Sequence, residues 1–178
     1  MSNSTLFRNS TLNNGGGIWN AGTLNVLNST FSENSATVSG GGVYVFTGGS
    51  TTLKNTILAN SVGGDCVGSL SGTNKHNLIE DSGVTACGLV NNSNGNKIGL
   101  DPKLGTWIAN FYFTLQNDSP AIDAGDNATC AAAPVSNQSK NGVTRPKDSD
   151  GNGSVICDIG AYEGPQTVFR LFLPLIRR

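Results

Sequence analysis

The chain consists of short apolar and β-branched runs that glycine and asparagine interrupt every few positions. Typical runs lie at residues 23–27 and 51–54. The apolar residues in these runs do not follow the spacing of three and four positions that marks an amphipathic helix. The pattern therefore predicts short β-strands joined by turns.

Two phrases recur along the first part of the chain and define a repeat. A phrase of the type Asn-Ser-Thr begins at Asn3, Asn28 and Asn55, with offsets of 28 − 3 = 25 and 55 − 28 = 27 residues. A second phrase, three glycines followed by an apolar and an aromatic residue, occurs at 15–19 and 40–44, again 40 − 15 = 25 residues apart. Two markers with one period indicate repeated structural units.

A repeat of about 25 residues that holds two or three short strands suits one coil of a parallel β-helix, in which successive coils stack about 4.8 Å apart. Equivalent residues then lie above one another, so asparagines form ladders at the corners and apolar residues form interior rungs. The positions expected to stack are Asn3 with Asn28 and Asn55, Asn9 with Asn34 and Asn60, Ile18 with Val43, and Leu6 with Phe31 and Leu58.

The repeat divides the chain into four segments. We expect regular coils over residues 1–64, a last irregular coil and loop over 65–110, a capping region over 111–164, and an apolar and basic tail over 165–178. The aromatic run at 111–115 should cover the open end of the helix core, because bare strand edges need a cover. The tail is too short to span a bilayer, and it fits either an anchoring signal or an edge strand on the cap.

Composition narrows the class of protein. Of 178 residues, 24 are glycine and 22 are asparagine, and only 13% are charged, which excludes an ordinary helical protein. The apolar fraction of 37% argues against disorder. With a net charge of −1 and no basic run before the last two residues, the chain lacks the electrostatic footprint of a nucleic-acid-binding protein.

The four cysteines fall into two local pairs, Cys66 with Cys87 and Cys130 with Cys157. Neither pair has the short spacing or the histidine partner of a zinc site. In a chain with so few charges, we expect two disulfides and secretion, with each bond contributing roughly 3 kcal/mol by the chain-entropy model. The alternative is four buried free thiols.

The first repeat begins immediately after Met1, with no signal peptide ahead of it. A coil that starts there exposes a strand edge. We therefore expect the chain to be the C-terminal piece of a longer secreted protein, with upstream β-helix coils as its partner.

The second half of the chain carries a series of short motifs in a fixed order. They are Asp101-Pro102-x-Leu104-Gly105, Ser119-Pro120-Ala121-Ile122-Asp123-Ala124-Gly125-Asp126, Arg145-Pro146, and Cys157-Asp158-Ile159-Gly160-Ala161-Tyr162-Glu163. This order resembles the C-terminal signature of the choice-of-anchor Q domain family, which comprises bacterial surface or secreted proteins. The repeat phrases also resemble, more loosely, those of polymorphic outer-membrane proteins.

The resemblance implies a fold and a location more than an activity. It implies an all-β, right-handed parallel β-helix of a few coils with an irregular C-terminal cap, which the two expected disulfides would staple. It also implies a secreted or cell-surface location in a bacterium. The chain departs from the family at 107–113, where the family has an Asn-Gly-Gly-Pro-Thr-type segment that ends in His-Ala-Leu. No role of the family's histidine is therefore carried over.

The segment 148–153 reproduces the first half of a calcium-binding loop, with oxygen-bearing residues at loop positions one, three and five and glycine at position six. The second half differs, because Ile159 stands where the loop would have glutamate. The candidate ligands of a structural Ca²⁺ are Asp148, Asp150, Asn152 and Asp158. The alternative is a polar turn that binds no metal.

Parallel β-helices carry several polysaccharide lyases and glycosidases, so catalytic residues are a reasonable expectation. Glycoside hydrolysis needs two carboxyl groups about 5 to 9.5 Å apart. The regular coils offer only Glu33, and the single histidine, His76, has no partner evident from its spacing. Aspartates gather only in the C-terminal part, at Asp123, Asp126, Asp148, Asp150 and Asp158.

Trp19 and Tyr44 occupy equivalent positions one coil apart, since 44 − 19 = 25. Stacked aromatic rings can hold a glycan ring, and the alternative is exterior packing. We expect a non-catalytic extracellular module for surface display, adhesion or spacing, with cell-surface glycans or the envelope as partners. The alternatives are a polysaccharide-active enzyme and a glycan-binding module.

Overall fold

A computed structural model of the chain describes residues 1–109 and 111–164. It forms a parallel β-helix, which confirms the predicted fold class. The expected role of the tail at 165–178 falls outside the described residues.

Short strands follow one another around each coil. The first coil holds β1 (Thr5–Phe7), β2 (Ser10–Thr11), β3 (Ile18–Asn20) and β4 (Thr23–Leu27). The second holds β5 (Thr30–Ser32), β6 (Ser35–Ala36), β7 (Val43–Val45) and β8 (Ser50–Lys54). Later coils contribute β9 (Ile57–Ala59), β10 (Cys66–Val67), β11 (Leu78–Ile79) and β12 (Lys97–Ile98).

The elements outside the coils are few and short. Two 3₁₀ turns lie at Gly83–Thr85 and Ser93–Gly95. An antiparallel hairpin follows, with β13 (Leu104–Ile108) and β14 (Tyr112–Leu115), and then the short helix α1 (Asn127–Ala131).

Strands from successive coils pair in parallel and form the walls of the helix. The longest wall is a five-stranded sheet in the order β1-β5-β9-β11-β12. A second wall is the sheet β3-β7-β10, and the pairs β4-β8 and β2-β6 complete the turns. The segment at 65–110, expected to hold one irregular coil, thus adds two further strands, β11 and β12, to the long wall.

The predicted interior rungs are confirmed. Leu6, Phe31 and Leu58 lie level with one another in the five-stranded sheet, and the same stack continues through Ile79 and Ile98. Phe31, Leu58 and Ile79 are fully buried and belong to the main hydrophobic core. Burying each such side chain contributes roughly 1.5 to 3 kcal/mol, so the stack is a large contributor to the stability of the coils.

The first asparagine corner has the expected left-handed backbone. Asn3, Asn28 and Asn55 have φ of 45°, 45° and 49°. Asn28 and Asn55 are fully buried, and the Asn55 side-chain amide donates to Asn28 Oδ1 at 3.5 Å. Asparagine tolerates this conformation, which is why it recurs at this corner.

The second asparagine ladder holds for two of its three expected members. Asn9 Nδ2 donates to Asn34 Oδ1 at 2.9 Å. Asn60 was expected to be the third member, which is wrong: the pairing of Ser35 with Val62 places Ser61 level with Asn34. The third phrase is one residue shorter than the other two, and this shift moves Asn60 to the level of Glu33.

The glycine phrase has a steric cause. Gly40 has φ of 68°, and a Cβ built on it would lie 2.8 Å from Tyr44 Cβ. A side chain at this position would be strained and would clash, so glycine precedes the aromatic position in the second coil.

The aromatic run at 111–115 does not cover the open end of the core, and that prediction was wrong. The hairpin lies against the outer face of the five-stranded sheet, where the Phe7 ring lies 4.5 Å from Trp107 and 5.0 Å from Phe113, between ring centroids. That face is apolar at Ile57 and Leu78, which pack against Leu104 and Leu115 of the hairpin, and it therefore needs a cover.

At the later coils, the residues around the first disulfide pack into the core instead. Ala86 and Cys87 belong to the main core cluster, and Leu89 packs against it. The Cys66–Cys87 disulfide therefore holds these residues against the later coils.

The segment after the hairpin completes the cover of the five-stranded sheet. Asn55 Nδ2 donates to the Asp126 carbonyl at 3.1 Å, and the Asp126 N–H donates to Asn55 Oδ1 at 2.8 Å. Farther along, the Gly160 N–H donates to the Asn55 carbonyl at 2.9 Å, and the Ala161 N–H donates to Thr30 Oγ1 at 3.0 Å. A Cβ on Gly160 would lie 2.7 Å from Ile57 Cδ1, so the segment approaches the sheet as closely as a bare backbone allows.

Both predicted disulfides are present, Cys66–Cys87 and Cys130–Cys157, and no cysteine is free. The alternative of four free thiols is therefore wrong. The second bond lies beside the asparagine corner, where the Asn28 amide donates to Cys130 Sγ at 3.1 Å. It ties α1 to the strand-like segment that reaches Gly160.

No helix within residues 1–109 and 111–164 is long and apolar enough to cross a bilayer.

The first coil leaves one end of the stack open among the described residues. Its strands β1 and β3 are the edge strands of the two larger sheets. Its interior side chains, Leu6, Ile18 and Leu24, are only partly buried, in contrast to the fully buried rungs of the second coil.

We predict that a further coil would stack on this end. Placing a copy of residues 3–27 directly ahead of Asn3 continues the 25-residue phase and covers Leu6 and Ile18. In denaturant unfolding, the longer chain should gain on the order of 1 to 3 kcal/mol. A matched insert with serine in place of its copies of Leu6 and Ile18 should gain nothing. Equal stability of the two longer chains would contradict the prediction.

Candidate functional site

Three aspartates converge on one face of the capping region. One carboxylate oxygen from each of Asp123, Asp148 and Asp150 lies within 4.8 Å of the others. Backbone hydrogen bonds hold the 148–150 turn against Asp123. Asp123 Oδ1 accepts the Ser149 N–H and Oδ2 accepts the Asp150 N–H, both at 3.1 Å. Three carboxylate oxygens at this spacing are the type of ligand that a hard cation such as Ca²⁺ prefers.

Of the four ligands expected from the sequence, Asp148 and Asp150 belong to this cluster, and the other two have different roles. Asn152 Oδ1 accepts the Ser154 N–H at 2.8 Å, and its amide donates to Asp150. Asp158 is fully buried, with its oxygens accepting the N–H groups of Asp123 at 2.9 Å and Gly164 at 2.7 Å. It therefore supports the backbone behind the cluster.

A buried arginine and a buried glutamate organise the backbone on the inner side of this region. The Arg145 side chain is fully buried, and its guanidinium donates to the carbonyls of Asp158 at 3.1 Å, Gly160 at 2.8 Å and Tyr162 at 3.1 Å. Its Nε lies 3.7 Å from Glu163 Oε2. Three fixed carbonyls hold the segment that lies on the five-stranded sheet, so the pair serves as a structural support.

Burial sets the protonation of these acids. It raises the pKa of Glu163 to about 8, with repulsion from Asp158 adding to the shift and Arg145 opposing it. Burial likewise raises the pKa of Asp123 to about 6, against the hydrogen bonds from Ser149 and Asp150. Burial also raises the pKa of Asp158 and lowers that of Arg145.

A separate feature lies on the sheet β3-β7-β10, which the capping region leaves uncovered. Trp19 and Tyr44 lie level with each other, as their spacing predicted. Phe46 follows Tyr44 by two residues and therefore lies on the same side of the strand. Trp19 is 50% exposed and Phe46 47% exposed, and their ring centroids lie 5.4 Å apart.

A groove of about 270 Å³ lies beside these rings. It is lined by residues 44–49 from the second coil and residues 67–69 from the third, none of which is charged. Its sides combine aromatic rings, the hydroxyl-bearing residues Thr47 and Ser69, and glycine backbone.

The acid and base candidates named from the sequence have structural partners. Glu33 pairs with Arg8 at 2.8 Å on the surface. His76 Nδ1 lies 2.9 Å from the Ala124 carbonyl. Asp126 caps α1, accepting the Thr129 N–H at 2.8 Å, and lies 2.8 Å from Lys75 Nζ.

Three residues have roles in these features that do not follow from the sequence motifs. Asp123 joins the carboxylate cluster from a distant part of the chain, which no local motif marks. Phe46 extends the aromatic pair, and its alternation with Tyr44 could have indicated this. Arg145 belongs to the Arg145-Pro146 motif, which does not indicate a buried role. Its burial depends on the packing of the whole capping region.

The comparison with protein families gives one short match. Residues 28–45 match the model of the Chlamydia polymorphic membrane protein repeat. This stretch is the second coil from Asn28 through β7, and it contains both repeat phrases. The match supports a β-helix-type repeat. No curated protein and no solved structure matches the chain.

The raised pKa values predict that the protein is most stable in mild acid. Burial also raises the pKa of Asp65 to about 6. Glu163, Asp123 and Asp65 therefore hold protons in the folded state at pH values where the unfolded chain has lost them. Their contribution is full below the unfolded pKa and falls as pH rises through the folded pKa. Asp126 has the opposite sign: its pKa is lowered to about 2, largely by Lys75 and Thr129 against burial, so its contribution is lost only in strong acid.

The free energy of unfolding, measured in urea, should therefore fall by a few kcal/mol between about pH 5 and about pH 8. The variant Glu163→Gln should show a smaller fall, because it removes the group with the largest pKa shift of these four. Stability that rises over this range would contradict the assignment.

Calcium binding remains a prediction, and the carboxylate cluster gives it a sharper test. An extracellular calcium module binds with a dissociation constant of about 0.1 to 1 mM, so about 10 mM Ca²⁺ should stabilise the fold by about 1 to 3 kcal/mol near neutral pH. Asp150→Asn should remove most of this gain, whereas Asp101→Asn, outside the cluster, should retain it. An equal calcium effect in both variants, or none in the unaltered protein, would contradict the site.

Proposed function

We propose that the chain is a non-catalytic extracellular β-helix module that serves surface display, adhesion or spacing in a bacterium. The observation that carries the proposal is the division of the molecule into a regular stack and a cover that closes one wall of it. The second coil of this stack matches the polymorphic membrane protein repeat. Such a stack is a rigid rod whose length grows with the number of coils, as a spacer requires.

Two observations support a location outside the cell. The matched family model describes a repeat of a membrane protein, which suggests exposure at the surface or association with the outer membrane. The two disulfides fit an oxidising compartment. The motif order that resembles the choice-of-anchor Q domain family agrees with this location.

The open edge of the first coil fits the same role. We propose upstream β-helix coils as its partner, because β1 and β3 present unpaired edges and Leu6 and Ile18 are only partly buried. Another coil would pair those edges and bury those side chains. The module would then belong to a longer rod.

The contacts of the acid and base candidates support the proposal that the module is not catalytic. The pairing of Glu33 with Arg8, and of Asp126 with Lys75 and Thr129, gives each carboxylate a role in the fold. His76 contacts a backbone carbonyl across the junction with the cover. The alternative, a polysaccharide lyase or glycosidase, could use the carboxylate cluster of Asp123, Asp148 and Asp150.

The proposal predicts that the protein releases no products from polysaccharides. The test is to incubate the full chain with calcium and a panel of plant and bacterial polysaccharides, and to search for new oligosaccharides by mass spectrometry. The variant Asp123→Asn is the control for trace activity in the preparation. Products from the unaltered protein that are absent with Asp123→Asn would overturn the non-catalytic proposal and assign the reaction to the carboxylate cluster.

A further inference from the structure

We infer that the aromatic groove on the sheet β3-β7-β10 binds a neutral polysaccharide, with Trp19 and Phe46 as the stacking platform. The inference deepens the proposed surface function and rests on it, because a cell-surface polysaccharide meets a protein outside the cell. It extends the expected pair of Trp19 and Tyr44 by a third ring and a defined groove.

The exposure of the rings is the first step of the argument. Trp19 and Phe46 leave about half of their surface in water, at 50% and 47%, although both carry large apolar faces. The other aromatic cluster on the coils, around Phe7, is covered by the hairpin through Trp107 and Phe113. The molecule thus covers one set of rings and leaves the other set open beside a groove.

The geometry of the rings suits a sugar. Their centroids lie 5.4 Å apart, with an interplanar angle of 39°, so the two rings pack against each other at a tilt, and about half of each residue remains exposed. A pyranose ring presents one apolar face of C–H groups and a rim of hydroxyl groups. The apolar face can lie on an aromatic ring while the hydroxyls remain free to hydrogen-bond at the side.

The lining of the groove supplies partners for those hydroxyls and identifies the ligand as uncharged. Thr47 and Ser69 are exposed hydroxyl-bearing residues in its lining, which also contains the Tyr44 side chain, apolar side chains and glycine backbone. No lysine, arginine, aspartate or glutamate lines it. An acidic polysaccharide would find no countercharge there, and a purely apolar peptide would leave the hydroxyls and peptide groups of the lining unpaired.

The groove spans two coils, which favours a chain over a single sugar. Its lining comes from residues 44–49 and 67–69, and Trp19 from the first coil extends the surface along the stack. Successive coils lie about 4.8 Å apart, so the three positions together extend over about 10 Å, the length of two pyranose units. An oligosaccharide lying along the stack can therefore contact all three coils at once.

The test uses the full chain with cellohexaose, chitohexaose and xylohexaose as probes, and isothermal titration calorimetry as the readout. At least one probe should bind with a dissociation constant of about 1 mM or tighter. Trp19→Ala and Phe46→Ala should each weaken binding about tenfold, as truncation of an aromatic anchor does. Ser69→Arg, at the exposed side of the groove, should block binding without contact with the core.

Phe111→Ala is the matched control, because Phe111 is a 57% exposed aromatic on the hairpin, outside the groove. Its affinity should equal that of the unaltered protein. Trp19→Phe should keep most of the affinity, since it retains a stacking ring. The unfolding midpoint of each variant, compared with the unaltered protein, separates loss of the site from loss of the fold.

Three results would overturn the inference: no binding to any neutral probe, binding that Trp19→Ala and Phe46→Ala leave unchanged, or preference for oligogalacturonate or a leucine-rich peptide. Mass spectrometry of the probe after titration separates this inference from the proposed function. A probe that binds and is cleaved would refute the non-catalytic proposal while the groove stands. Absence of both binding and cleavage would refute the groove and leave the spacer role standing.

Discussion

The paired hydrogen bonds between the Asn55 side chain and the backbone of Asp126 join the two parts of this molecule. Asn55 lies at the corner of the third coil with a left-handed backbone, and its backbone carbonyl accepts a further hydrogen bond from Gly160. One buried residue thus fixes two distant segments of the cover against the stack. Each hydrogen bond of this kind contributes only about 1 kcal/mol net, but leaving a buried amide unpaired would cost more free energy. The buried Asn55 amide therefore needs the Asp126 backbone as its hydrogen-bond partner.

The long wall also needs a cover because its outer face carries apolar side chains. The strands of the long wall alternate between interior rungs and outward side chains, and Ile57 and Leu78 point outward. An uncovered wall of this kind would aggregate, and the hairpin and the segment around Ile159 prevent that by packing on it. The Cys130–Cys157 disulfide and the buried Arg145 then hold the cover in place.

With one wall closed, the aromatic sheet β3-β7-β10 keeps its rings exposed. Trp19 and Phe46 are exposed there while the rings near Phe7 are covered, although both clusters project from the same regular coils. This asymmetry separates the covered wall, which stabilises the fold, from the exposed rings, which the proposed groove would use to bind a polysaccharide.

The repeat allowed much of the fold to be predicted. The period, the rungs through Leu6, Phe31 and Leu58, and both disulfides all follow from sequence because they depend on local spacing. The sequence does not give the register of Asn60, which lies level with Glu33 and not with Asn34. The third phrase is one residue shorter, and sequence alone does not show on which side of the turn the residue is missing.

The cover and the carboxylate cluster could not be predicted in the same way. The aromatic run at 111–115 was assigned to the open end of the core, although it lies on the outer wall. The outward-facing side chains of Ile57 and Leu78 show that the outer wall needs a cover. This can be recognised only when it is known which face of each strand points outward. Asp123 meets Asp148 and Asp150 through packing between segments that no period relates.

The central claim is that the segment around Gly160 is held on the long wall through the Asn55 corner. Native-state amide hydrogen exchange at Asp126, Gly160 and Ala161 tests it most directly, because these three N–H groups donate to Asn55 and Thr30 across the junction. The account predicts protection close to that of the core amides, such as those of Leu58 and Ile79, and a marked loss of protection at the Asp126 amide in Asn55→Ala, which removes its side-chain acceptor. Fast exchange of these amides in the unaltered protein would contradict the account, because the cover would then be detached from the stack.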